Sequence, residues 1–445
     1  MKILGIILLV SLAVLNTRAA ENVAPVETTN VVVITTDLIN RLVAEAQTNN
    51  PGFLAASSRA DSATANAASV RTWDDPTFMV GETLFSPQGF DAAQQGDLTY
   101  GITQKLPLWG KPSLNRQVAQ AAASVSHAEQ DSHYRQLRRD VTKQLFATAL
   151  AEREVQIGEQ DLAWLQVTAK EIEAKYQAGQ SSVADALQIQ NEVAERNDSL
   201  RTDKLMLGHE GVSLNRLLNR DFNSPWPPFQ LPDTFPVIPY SEKLISLALT
   251  NEPQIKVLDQ EVKEAEAAAK STSRSRMPDV SLGVQGNQYS GDGEFRSGTF
   301  TLSFSLPWFN ESKYSKDYQR EKDAQKAAEH DRDDQVLMVR EELHHLTLDI
   351  ENQSREALLY RDEISTRAGQ MLASRLADWE AGRGSLRDVL DARRSWLDSQ
   401  LMEARAVVGE QQSVAELLLW TGLENTGMLT PLINEPPVFH HHENN

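Results

Sequence analysis

The chain contains no cysteine. That excludes disulfide staples, thiolate metal sites and a lipid attached to an N-terminal cysteine. Beyond Leu15 no apolar run approaches the roughly 20 residues of a membrane helix. Any part of the mature chain that enters a bilayer must therefore do so as strands. No proline lies between Pro112 and Pro225, or between Pro307 and Pro431. Stretches of that length without the breaker, rich in Ala, Glu, Gln, Leu and Arg, predict helix throughout. From about Ser113 to Ala178 such a helix would run roughly 100 Å. Positive charge is also scarce, with 43 Lys and Arg against 62 Asp and Glu. The formal charge of −19 argues against nucleic acid as a partner and is compatible with cationic cargo or plain solubility. No Gly-rich phosphate loop, HExxH pair or GxSxG elbow occurs, so neither catalysis nor a cofactor is expected.

What is present begins with a secretory signal at residues 1–19. Lys2 supplies the positive start, Ile3 to Leu15 the apolar run, and Thr17-Arg18-Ala19 the small residues of a cleavage site. The mature chain is expected to begin near Ala20, which takes the formal charge from −19 to −21. Apolar residues make up only 40 % of the 445, lean for two compact cores.

The chain is written twice. Asn49 to Pro51 returns at Asn251 to Pro253, and Pro76, Pro107 and Gly179 have counterparts at Pro278, Pro307 and Gly382, at offsets of 202, 202, 200 and 203 residues. Two copies in register predict a duplicated architecture. The first spans 20–220 and the second 241–421. A linker with six prolines lies at 221–240 and a flexible tail is expected at 422–445. Each copy reads as short helix, two strands, very long helix, turn, long helix. The Ala/Ser-rich segment from Phe53 to Arg71 is expected to be a frayed helix.

Apolar spacing describes the packing. Leu162, Leu165, Ala169, Ile172 and Tyr176 step by three and four, while Leu343, Ile350, Ala357, Ile364 and Met371 recur every seven, so these are supercoiling helices with thin seams. The strands alternate. Phe300, Leu302, Phe304 and Leu306 oppose Thr299, Thr301, Ser303 and Ser305, and strands near 279–289, 96–106 and, less cleanly, 76–86 repeat the dyad. Apolar-out with small-polar-in is the wall of an outer-membrane β-barrel. Four strands cannot close one, so the chain is expected to oligomerise.

Where the long helices turn, Gly179 and Gly382 suit a left-handed reversal. Ser182 and Ser385 suit caps three residues before Asp185 and Asp388. Asp391 shares a helical face with Asp388 and is not explained as a cap. These tips, YQAGQSSVADALQIQ (Tyr176 to Gln190) and WEAGRGSLRDVLDAR (Trp379 to Arg393), together with the junctions GITQKLPLWGK (Gly101 to Lys111) and FSLPWFN (Phe304 to Asn310), resemble the TolC family of outer-membrane efflux channels. The resemblance covers nearly the whole mature chain. It implies a mainly α fold with a small β part: a homotrimer whose twelve strands form a transmembrane barrel in outer-membrane lipid above a periplasmic barrel of twelve helical segments.

It further implies a passive duct, gripped at its tips (Gly179, Gly382, Ser182, Ser385) by a periplasmic adaptor, or membrane fusion protein, that joins it to an RND-type inner-membrane pump. Aspartates matching Asp388 and Asp391 form rings at the family's entrance, which would favour cations. An aspartate matching Asp185 pairs with an arginine just after the second tip glycine. Gly384 occupies that position here, so the partner falls to the flanking Arg383 or Arg387. The family's tyrosine is Trp379, able to plug or stack. The PLWGK junction is similar to those of the heavy-metal cation branch, which favours metal cations as cargo. A type I polypeptide secretion channel or a periplasmic coiled-coil adaptor remains an alternative. His440, His441 and His442 lie in a polar tail and carry no expected metal site.

Overall fold

The computed structural model describes residues 31–70, 73–82, 97–289 and 293–438. The signal segment and the tail histidines lie outside these. A short strand β1 (Val32–Val33) leads into helices α1 (Thr36–Asn49) and α2 (Pro51–Ser69), then β2 (Thr77–Glu82), β3 (Asp97–Lys105), α3 (Lys111–Gln177) and α4 (Val183–Leu218). After β4 (Phe229–Gln230) the order returns as α5 (Glu242–Asn251), α6 (Pro253–Arg274), β5 (Val280–Tyr289), β6 (Phe295–Phe304), α7 (Glu311–Leu358), α8 (Ser365–Glu380) and α9 (Leu386–Thr421).

The repeated Asn-x-Pro element is a helix break built the same way twice. Asn50 accepts from the Phe53 amide at 3.1 Å and Glu252 accepts from that of Ile255, with Pro51 and Pro253 at the first helical position, where the missing N–H leaves no bond unmade. Each break packs a small core against the long helices. In the first copy Leu42, Val43 and Ala46 meet Val141, Leu145, Leu214 and Leu218. In the second, Leu244, Ile245 and Ala248 meet Leu343, Leu346 and Leu417. The segment expected to fray is a regular 19-residue helix, because Ala63 and Ala67 of α2 pack against Ala119 and Ala123 of α3.

The strands form one antiparallel sheet in the order β2-β3-β5-β6, and each neighbours a helix in the chain: α2 precedes β2, β3 precedes α3, α6 precedes β5 and β6 precedes α7. Near the sheet the helices lie in the matching order α2, α3, α6, α7. Towards the tips α4 and α9 replace α2 and α6, giving the order α4, α3, α9 and then α7 with α8. Register places Phe78, Ile102, Val284 and Phe300 in one row across all four strands. That row is solvent-exposed on the chain, as are Val80, Leu302 and Phe304 on the same face, while Thr99, Thr103, Ser281, Thr301 and Ser303 point to the other. Among the described residues no helix is long and apolar enough to cross a membrane.

Two features differ from expectation. The helix entering the second tip is interrupted by a π-helical turn at Leu359–Ile364. The offset between the copies grows from 200 residues at Pro307 to 203 at Gly382, and a wider turn is how a helix absorbs surplus residues without breaking. The tail expected to be flexible from 422 is packed. Leu423, Leu429 and Leu432 close the second core through a 3₁₀ turn at Thr426–Leu432, and the Val438 amide donates to the Tyr240 carbonyl. This segment is the counterpart of the proline-rich linker, which closes the first core with Phe229 while β4 pairs in parallel with β1.

At the junction of strand and helix, Trp109 and Gly110 both take left-handed φ values, 63° and 71°. The indole donates to the Pro278 carbonyl at 2.8 Å. Lys111 donates to Asp279 at 2.8 Å, and Lys105 lies 3.3 Å from the same carboxylate. Burial raises the Asp279 pKa, but the hydrogen bonds and charges of Lys111 and Lys105 outweigh it and hold the carboxyl below its ordinary value. A lowered acid pKa contributes stability above the unfolded-state value of about 4 and loses it as pH falls through the folded one. Asp279→Asn is expected to lower the melting midpoint at neutral pH by on the order of 2 °C. Melting curves of variant and wild type should converge only once pH falls below the folded-state pKa of Asp279, itself lower than the ordinary carboxylate value, where both side chains are neutral.

Candidate functional site

The two hairpin tips are built alike from local chemistry. At the first, Gly179 has φ 74° and donates to the Tyr176 carbonyl at 2.9 Å, and the Gln180 amide reaches Lys175 at 2.8 Å. At the second, Gly382 has φ 72° and donates to Trp379 at 3.0 Å, and the Arg383 amide reaches Asp378 at 2.8 Å. A glycine there ends the helix with its last carbonyls satisfied. Serine then starts the returning helix. The Asp185 amide donates to Ser182 Oγ at 3.1 Å while the Ser182 hydroxyl donates to the Asp185 carboxylate at 2.7 Å. Ser385 and Asp388 make the same pair at 3.2 and 2.8 Å.

Asp185 and Asp388 are thus both engaged as caps. The Ser385 hydroxyl and amide hold the exposed Asp388 carboxyl below its usual range. Asp391 lies on the open side of α9, 4.0 Å from Arg387 Nε. Arg383 pairs with Asp378 of its own hairpin at 3.2 Å. Within one chain, therefore, both candidate arginines have a neighbour on their own hairpin, and Asp185 is held by Ser182. Trp379 stacks: Lys175 Nζ from the first hairpin sits 3.9 Å over its ring, beside the apolar layer of Leu165, Ile172, Ile189, Leu386 and Leu390 that joins the hairpins.

A polar layer absent from the sequence reading lies deeper between the hairpins. Asp161 of α3 accepts from Arg393 Nε of α9 at 3.1 Å and lies 3.4 Å from Arg196 Nε of α4, close enough for ion pairing but not aligned as a hydrogen bond. The Arg393 guanidinium sits between Trp164 and Trp396, 4.7 and 5.1 Å from their ring centroids. The only sequence signal was two tryptophans on otherwise thinly apolar helices. No group of three or more metal-ligating side chains is present among the described residues.

The outer helices of the layer carry apolar residues with nothing over them. α4 exposes Val183, Leu187, Leu205 and Met206, and the opposite edge exposes Leu337, Met338, Leu359 and Met371. The fold as a whole has counterparts in known structures. The outer-membrane channel OprN matches with a TM-score of 0.75 at 16 % identity, over 87 % of this chain and 90 % of its own. CusC, a protein that forms a transmembrane channel, matches at 0.78 and 16 %, over 87 % and 92 %. The outer-membrane protein VceC from Vibrio cholerae matches at 0.72 and 16 %, over 87 % and 96 %. At such identities the likeness is one of fold. No curated protein matches the chain in sequence. The family model for outer membrane efflux proteins, however, matches residues 42–220 and again 244–423, one match on each copy. The chain therefore belongs to the outer membrane efflux protein family, an outer-membrane transport component with its helical barrel in the periplasm.

Proposed function

We propose that three copies of this chain close into a passive exit duct, whose periplasmic tips are gripped by an adaptor and supplied by an inner-membrane pump. The observation that carries this reading is the four-stranded sheet, apolar and uncovered on one face, with β2 and β6 as open edges among the described residues. Open edges are not tolerated in lipid, so neighbours must supply the missing strands. Two copies would give eight strands, a barrel whose interior is just filled by side chains. Three give twelve and leave a lumen. The differing apolar edges of the helical layer, α4 on one side and α7 with α8 on the other, suit a head-to-tail contact that closes a ring.

In that ring Asp388 and Asp391 become threefold carboxylate rings at the entrance, with the cap bond of Ser385 fixing the Asp388 carboxylate in place. Rings of this kind attract cations, so cationic solutes, metal cations among them, are the favoured cargo. Planar-bilayer recording tests the reading. Wild type is expected to pass small cation-selective currents, and Asp388→Ala/Asp391→Ala to bring the cation-to-anion permeability ratio towards unity. An unchanged ratio would discard the rings and keep the duct. Absence of current from folded, inserted protein would discard the duct.

A further inference from the structure

The polar layer around Asp161 ties all four helices of the lower body at one level. Besides Asp161 and Trp164 of α3, Arg196 of α4 and Arg393 and Trp396 of α9, it reaches α8. A Cβ added at Gly369 would lie 3.4 Å from the Trp396 indole nitrogen. Gly158 leaves similar room on α3, where a Cβ would come within 2.7 Å of the Arg196 guanidinium. Two glycines thus admit the two large side chains.

Arg393 follows Asp391 by two residues, which on an α-helix is roughly 200° around the axis. Holding Arg393 inward against α3 therefore turns Asp391 to the open side. The leucines of the neighbouring apolar layer cannot set that rotation alone, because burial of apolar surface is non-directional. A guanidinium held by a carboxylate and flanked by two aromatic rings is directional. The side chains of Arg393 and Asp161 are only 12 % and 11 % exposed. A buried ion pair of this kind adds little net stability over an apolar pair, and register is its best-attested use.

We propose that Arg393 is the positioning residue of the constriction: clamped by Asp161 between Trp164 and Trp396, it sets the rotation of α9 that presents Asp391 to the passage. The inference rests on the duct reading, and its test is chosen so that the two fail differently. Full-length Arg393→Ala, Arg393→Lys, Asp161→Asn and, as a surface control, Arg394→Ala are recorded in planar bilayers beside Asp391→Ala, with the melting midpoint of each measured in detergent. Arg394 pairs with Glu192 at 3.3 Å on the exposed side of α9, so its loss removes the same charge without touching the clamp.

Arg393→Ala and Asp161→Asn are expected to reduce cation selectivity to the level of Asp391→Ala, although Asp391 is intact. Arg393→Lys should recover part of it and Arg394→Ala should retain all of it. Because the chain has no cysteine, Asp391→Cys gives a single labelling site independent of conductance. Its modification by a charged thiol reagent should slow several-fold when Arg393→Ala is added. A lowered melting midpoint with wild-type selectivity and an unchanged labelling rate would make the clamp merely structural and overturn the proposal. Wild type without current would instead remove the duct reading, and this inference with it.

Discussion

Phe300→Arg is expected to abolish assembly of this protein in the outer membrane, whereas Thr301→Arg, one residue on, is expected to insert. Phe300 stands in the row Phe78, Ile102, Val284, Phe300, near the middle of β5 and β6. Ten residues of strand, as in each of these two, tilted by ~40° span about 25 Å, the height of the lipid-facing band of an outer-membrane barrel. An arginine near the middle of that band costs about 2–4 kcal/mol per chain, and symmetry repeats the cost in every copy. That is a large share of the ~5–15 kcal/mol that holds a typical domain folded. Thr301 lies beside Gly283 on the opposite face, where the wall is small and polar. Outer-membrane fractionation and heat-resistant oligomers on gels are the readouts. Equal behaviour of the two variants would show that the lipid face is misassigned.

Gly422→Ala and Gly422→Asn are both expected to destabilise the chain by about 2–4 kcal/mol, from left-handed strain added to overpacking. Gly422 ends α9 with φ 64°, and any Cβ there would be driven into the carbonyl and side chain of Asn251 at the end of α5. Its own carbonyl accepts from Arg135 at 2.7 Å, so the backbone is held from both sides. The first copy provides the comparison. Asn219 ends α4 in the same conformation, at φ 54°, showing that asparagine tolerates this turn where space permits. Strain alone predicts that Gly422→Asn is much milder than Gly422→Ala, while the contact with Asn251 predicts that both fail. Thermal or denaturant unfolding of the two variants separates these causes.

Much of the architecture was legible because its signals are local. Missing proline marked the long helices, and a period of two marked the strands and their two faces. Ser182 with Asp185, and Ser385 with Asp388, marked caps within a single turn, which is where the structure forms them. The duplication was readable because proline and glycine punctuate both copies alike. The packed tail was missed because its few apolar residues, Leu429 and Leu432 among them, show no period. They are buried by a core contributed from α5, α7 and α9.

The sequence by itself determined that this chain is duplicated, helical over most of its length and equipped with strands whose two faces differ. Each of those properties is encoded in spacing within a few residues, or in one unit's likeness to the next. Only the tertiary structure decided which charges meet. Arg393 and Asp161 are 232 residues apart, and neither neighbourhood announces the other. Within one chain Arg383 and Arg387, which the family resemblance offered to Asp185, lie beside Asp378 and Asp391 of their own hairpin. An ion pair depends on where two helices pass and how each is rotated about its axis, and that is decided jointly by apolar burial and by directional contacts between segments far apart in the chain.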